Sequence, residues 1–200
     1  MILNCGKDAT TTENINLLFC PTIYCITVHI TIKFHNMLKI KFTDIFSEEL
    51  ASDAILNEEY TGFKEDYLTL HCLLKIHKPA SFLEIGTNMG TGTKIIKNAL
   101  GPDSTVYSLD LPTELSHISL QHPINEGKGD KVGERCDLPF TQLRGDSLLY
   151  PYNELGPIEG WFIDGEHDYL HANHEAKAAI ANGAKLIIFH DADIHEVYNG

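Results

Sequence analysis

Ser81-Phe-Leu-Glu-Ile-Gly-Thr-Asn-Met-Gly-Thr-Gly-Thr93 is a short apolar run that ends in an acid and breaks into a glycine-rich turn just before a helical pattern. In such a stretch a parallel strand hands a nucleotide-like ligand to a helix N-terminus, whose unsatisfied N–H groups face it. Gly86 and Gly90 reach backbone angles closed to other residues and let the chain approach a ligand closely. Glu84 repels a pyrophosphate but suits ribose hydroxyls or a cationic ligand. The spacing Gly86-x3-Gly90-x-Gly92 is not the G-x-G-x-x-G of dinucleotide-binding folds. Without a ligand, the same pattern serves as a tight strand-to-helix turn.

Outward from this loop, strand and helix patterns alternate: strand 81–85, helix 91–100 ended by Gly101-Pro102, strand 105–109, strand 141–144, strand 160–163, helix 168–182 and strand 185–189. The alternation predicts an α/β fold with right-handed crossovers and a doubly wound parallel sheet. Upstream, Thr43 is placed to cap a short helix through Asp53, and Thr61 a longer one through His77. Phe63, Tyr67, Leu70 and Leu74 fall at helical spacing in the second, with Pro79 as its stop. Both helices are expected to cover the sheet edge and roof the cleft. Residues 111–140 are longer than a plain connection needs, which fits either an insertion over the cleft or a solvated crossover.

Two hundred residues with 43% hydrophobic content suffice for one compact domain and not for a second full one. The balance of 15 Lys+Arg against 28 Asp+Glu gives a net charge of −13, which opposes nucleic acid and anionic lipid as partners. The five cysteines (Cys5, Cys20, Cys25, Cys72, Cys136) are scattered without a C-x-x-C pair and read as reduced thiols of a cytoplasmic protein. Residues 14–32 lack charge, yet Pro21, Thr22, Thr27, His29 and Thr31 argue against a signal peptide or membrane anchor. From Tyr24 to Ile32 the stretch alternates with strand periodicity. Composition changes at Met37, so the expected division is an N-terminal extension (1–36), a helical cap (37–79) and a ligand-binding core (80–200). The extension reads either as an added edge strand or as a segment foreign to the domain.

Ligands of an open parallel sheet sit off the carboxyl ends of the strands. Those ends read Glu84-Ile-Gly86, Leu109-Asp110-Leu-Pro112, Arg144-Gly-Asp-Ser147, Ile163-Asp-Gly-Glu-His167 and Phe189-His-Asp-Ala-Asp193. An acid at each of five ends is more than stability demands. Singly, each reads as a solvated carboxylate or a helix cap, with Asp168 an expected N-cap.

From about residue 60 onward the chain resembles class I S-adenosylmethionine (SAM)-dependent methyltransferases, in the branch of small-molecule and sugar O-methyltransferases related to the cephalosporin hydroxylase type. The matching segments are FLEIGTNMGTGT, VYSLDLP, the VGER of Val132–Arg135, TQLRGDS, WFIDGEHDY and IIFHD. The resemblance implies a Rossmann-like sheet of order 3-2-1-4-5 and methyl transfer from SAM to a hydroxyl of a small-molecule or sugar acceptor. It also implies that Glu84, Gly86, Thr87, Asn88 and Gly90 hold the amino-acid and ribose part of SAM, and that Asp110 with Leu111 takes the ribose hydroxyls. Gly145, Asp146 and Ser147 would bracket the adenine, and Asp164 would lie beside the sulfonium and the acceptor.

His167 is the first candidate for a catalytic base beside Asp164, because imidazole titrates near neutrality; a histidine that only bonds the loop is the equal alternative. Asp164, His190 and Asp191 match the places where related enzymes bind a divalent cation such as Mg2+. His190 stands where metal-dependent members carry an acid, and imidazole suits Zn2+ or Fe2+ better than Mg2+. His171, His174 and His195 read as surface or helix-face residues, Tyr169 as part of an acceptor pocket and Trp161 as core. The chain stops at Gly200, where this fold normally adds a helix and an antiparallel strand pair. The edge beside strand five is thus expected to lack its terminal pair, to be filled by the N-terminal strand or by a second copy in a homo-oligomer, or to mark a fragment. A catalytically inactive SAM-binding module stays open as an alternative function. An NAD-dependent oxidoreductase is disfavoured by the glycine spacing and the lack of a Tyr-x-x-x-Lys pair.

Overall fold

The computed structural model describes residues 3–4, 14–19, 23–29, 38–40, 54, 64–115 and 131–191. The helix expected over 43–53, the Thr61 cap and His195 lie outside these residues, as does the middle of the 111–140 connection. In chain order the elements are β1 (Leu3–Asn4), β2 (Asn14–Phe19), β3 (Ile23–His29), β4 (Leu38–Ile40), α1 (Lys64–His77), β5 (Ser81–Ile85), α2 (Thr91–Leu100) and β6 (Thr105–Asp110). They continue with β7 (Thr141–Arg144), β8 (Gly160–Ile163), α3 (Tyr169–Ala181) and β9 (Leu186–Phe189).

Strands β7, β6, β5, β8 and β9 form a parallel sheet in that spatial order. Numbered along the chain, this core has the order 3-2-1-4-5 that the resemblance implied. Ile85 pairs with both Leu109 and Ile163, Asp110 with Arg144, and Ile163 with Phe189, so the five carboxyl ends stand level. The order reverses between β5 and β8, which places a crevice off their carboxyl ends.

Burial on both faces explains why β5, β8 and β9 read as largely apolar runs rather than as alternations. On one face Phe82, Val106, Phe162, Leu186 and Ile188 pack with Leu70, Leu73 and Leu74 of α1 and Ile95 and Ile96 of α2. On the other, Leu83, Ile85, Trp161, Ile163 and Ile187 pack with Ala172 and Ala179 of α3. Trp161 is fully buried, with its ring centroid 4.9 Å from that of Tyr152, which is the core role expected of it. Asp168 caps α3 by accepting from His171 N at 2.8 Å. Lys78, in the left-handed region ahead of Pro79, ends α1, its N–H donating to Leu74 O.

The expected strand near 24–32 forms as β3, but it does not pair with β9. Its partners are β2 and β4, and it is β1 and β2 that lie against β9, at Leu3↔Ile187 and Phe19↔Phe189. Among the described residues, no helix is long and apolar enough to cross a membrane.

Candidate active site

The glycine loop sits where the backbones crowd. Gly86 has φ +98°, and a Cβ there would lie 2.1 Å from the Asp164 carbonyl oxygen. Only a residue without a side chain allows the ends of β5 and β8 to touch in this way. Gly90, with φ +87°, faces the Gly133 backbone, which a Cβ would meet at 2.8 Å. Gly133 N donates to Asn88 O and Arg135 N to Met89 O, each at 2.8 Å, so the VGER segment is strapped across the loop. That strapping gives the segment a structural reason which its sequence alone does not supply.

Thr87 turns inward: its hydroxyl bonds Ser108 Oγ at 2.7 Å and accepts from Gln142 Nε2 at 2.9 Å. The N-cap of α2 is Gly90, which offers no side chain to the first-turn N–H groups. Glu84 reaches under this turn. It is 1% exposed and accepts from Ser108 Oγ at 2.5 Å and from the Thr93 hydroxyl. Burial pushes its pKa up to about 8, with the two hydroxyl donors working against this and the Asp164 and Asp110 charges adding to it.

Asp110 locks the next strand end to the loop, its Oδ2 accepting from Asn88 N and its Oδ1 from Leu111 N, each at 2.7 Å. Asn88 holds a left-handed backbone with φ +46°, which turns its N–H toward that carboxylate. Gly145 N donates to Asp110 O at 2.9 Å, bringing the Gly145–Ser147 turn beside it. Within that turn Asp146 Oδ1 accepts from Leu148 N at 2.9 Å, and Tyr152 Oη donates to Ser147 O at 2.9 Å.

The other half of the cleft gathers charge. His190 Nδ1 lies 3.1 Å from Asp164 Oδ1 and 3.0 Å from Asp191 Oδ2. On its far side, Nε2 lies 3.4 Å from Asp66 Oδ2, on the first turn of α1. Burial opposes charge on this imidazole, but the three carboxylates outweigh it and hold its pKa well above the ordinary histidine range. His167, half exposed, lies 3.5 Å from Asp191 Oδ2. Asp66 is the residue that sequence reasoning missed, because an acid in a first helical turn ordinarily complements the helix dipole in solvent. His171 pairs with Asp168 at 2.9 Å, and His174 is exposed, as expected of both.

The donor set fits a cation. Single ligand atoms of Asp164, His190 and Asp191 all lie within 4.8 Å of one another. A carboxylate on the outer ring nitrogen, here Asp66, is the usual means of aiming a ligating histidine. One nitrogen among oxygens favours a borderline transition metal over Mg2+.

No family model and no curated protein matches this chain. Among solved structures, it is similar to cofactor-bound Rv0187 from MTB (23% identity over 67% of this chain and 57% of that one, TM-score 0.41). It is also similar to an O-methyltransferase from Bacillus cereus in complex with S-adenosylhomocysteine (SAH) (15% identity, 68% and 63% covered, TM-score 0.41). A third is the SAH-bound methyltransferase PaMTH1 of Podospora anserina (15% identity, 69% and 58% covered, TM-score 0.43). The chain thus spans 57–63% of the length of these three structures.

Proposed function

We propose that the chain is a SAM-dependent methyltransferase acting on a hydroxyl of a small molecule or sugar. The observation that carries this reading is the level carboxyl edge, where the glycine loop, Asp110 and the Gly145–Ser147 turn are hydrogen-bonded together at the same edge as the Asp164–His190–Asp191 cluster. SAM supplies an electrophilic methyl on a sulfonium, a group that needs positioning more than activation. On this reading the loop 86–90 and Asp110 orient the ribose and amino-acid part, and Asp146 with Ser147 the adenine. Asp164 faces the positive sulfur, and His167 takes the proton that the attacking hydroxyl loses.

Asp110→Ala is expected to weaken SAH binding by about 1–3 kcal/mol, since it removes charge-assisted hydrogen bonds and frees the Asn88 turn. Calorimetry on the folded variant checks this, and unchanged affinity defeats the assignment.

Asp164, His190 and Asp191 are the residues that would hold a divalent cation, which would lower the pKa of an acceptor hydroxyl. EDTA is expected to abolish turnover and lower the melting temperature, with Mn2+ or Zn2+ restoring both more fully than Mg2+. Full activity and unchanged melting in EDTA return the three residues to positioning roles.

A further inference from the structure

Beneath the turn read as the adenine site lies a carboxyl that the proposed chemistry leaves unused. Glu175, on the sheet-facing side of α3, is 0% exposed. Neither of its oxygens has a hydrogen-bond partner. A carboxyl isolated to that degree is unfavourable unless some state of the protein completes it. The Ser147 hydroxyl is the polar group that faces it without closing a well-directed bond, with His171, Asp168, Asp146 and Tyr152 as the titratable groups around it. Burial pushes its pKa up, which favours the protonated acid; Ser147 and His171 work against this, and Asp168 and Asp146 add to it. Overhead passes the Gly165 backbone, where a Cβ would lie 3.9 Å from Glu175 Oε1. Ser147 is meanwhile held at its carbonyl by Tyr152, so its hydroxyl is the part of the turn left to settle.

We propose that Glu175 is a positioning residue for the cofactor: it closes a hydrogen bond with the Ser147 hydroxyl and thereby fixes the Gly145–Ser147 turn against the adenine of bound SAM. The inference rests on reading that turn as the adenine site. It assigns a role in cofactor affinity to a residue that never touches the cofactor.

The test is SAH titration by calorimetry on the whole chain as wild type, Glu175→Gln, Glu175→Leu, Ser147→Ala and the Leu/Ala double variant, with melting temperatures alongside. Glu175→Gln, neutral and of equal shape, is expected to bind as wild type does. Glu175→Leu and Ser147→Ala are each expected to weaken binding about three- to tenfold, and the double variant no more than either alone. Glu84 titrates in both proteins, so the difference between the two pH profiles reports Glu175: wild-type affinity should fall relative to that of Glu175→Gln as pH rises through the carboxyl's ionisation. A Glu175→Leu protein that melts lower but binds SAH as tightly as wild type overturns the proposal, as do additive losses in the double variant. Absence of SAH binding by the wild type itself overturns the methyltransferase reading and this inference with it.

Discussion

Gly86→Ala is expected to destabilise the chain by about 3–5 kcal/mol and to remove measurable SAH binding. Two effects add. At φ +98° an L side chain is strained, and its Cβ would lie 2.1 Å from the Asp164 carbonyl oxygen and 2.6 Å from its carbon. Neither atom belongs to a flexible side chain, so the end of β8 itself must move. Asp164 N donates to Ile85 O at 2.9 Å and His190 N to Ile163 O at 3.0 Å, so that displacement carries Asp164 and His190 with it. Gly101→Ala is the control: φ is +79° there too, but a Cβ would have nothing within 4 Å. With ψ −178° the backbone strain remains, so that variant should lose about 1–3 kcal/mol, less than Gly86→Ala, and bind SAH normally. Denaturant titration and calorimetry on both variants decide the matter, and a Gly86→Ala protein as stable as Gly101→Ala would show that the two strand ends do not meet as described.

The central strands β5, β8 and β9 were legible because they are buried on both faces, and the edge strand β7, only partly buried, because its carboxyl end is marked by Gly145 and Asp146. Ser81–Ile85, Thr141–Arg144 and Gly160–Ile163 have the boundaries the sequence predicts, and β6 and β9 differ by one residue at one end. Their spatial order was not readable from period or spacing and came with the family resemblance. The N-terminal pairing was half legible. Tyr24–Ile32 alternates over nine residues and so announced a strand, whereas Asn14–Phe19 alternates only as far as Leu17 before running Leu-Leu-Phe, and it is its last residue, Phe19, that pairs with β9.

Within the site, residue types were legible and side-chain directions were not. Thr87 stands in the loop yet bonds inward to Ser108. Asp66 and Glu175 sit on helices where acids are ordinarily solvated, and only tertiary packing brings one to His190 and the other under Ser147. These two helical acids connect opposite faces of the sheet to the same cleft. Mutations on α1 are thus expected to act through His190, and mutations on α3 through the Gly145–Ser147 turn.

Glu84 gives an expected dependence of stability on pH that begins below the range of any histidine. Its pKa rises from 4.5 to about 8 on folding, chiefly through burial. The folded state therefore holds this proton more tightly than the unfolded chain does. The associated stability is complete below pH 4.5 and is lost as pH climbs toward 8, with a slope approaching about 1.4 kcal/mol per unit. His190, also raised, contributes a loss of the same sign only above its unfolded value of 6.5. Glu175 adds to the slope from 4.5 upward, in wild type and variant alike. The difference between wild type and Glu84→Gln over pH 5–6.5 thus isolates Glu84: the variant's stability should fall less steeply by about one proton's worth. Gln keeps an acceptor for Thr93 and Ser108, so the fold survives the change. On the proposed reading, the cationic cofactor draws the carboxylate form of Glu84 out of this buried acid. Calorimetry in buffers of different ionisation enthalpy should then show proton release on SAM binding to the wild type near pH 7 and less release with Glu84→Gln. Equal stability slopes in the two proteins would mean that Glu84 is already ionised in the fold, its charge accommodated by the two hydroxyls that clasp it.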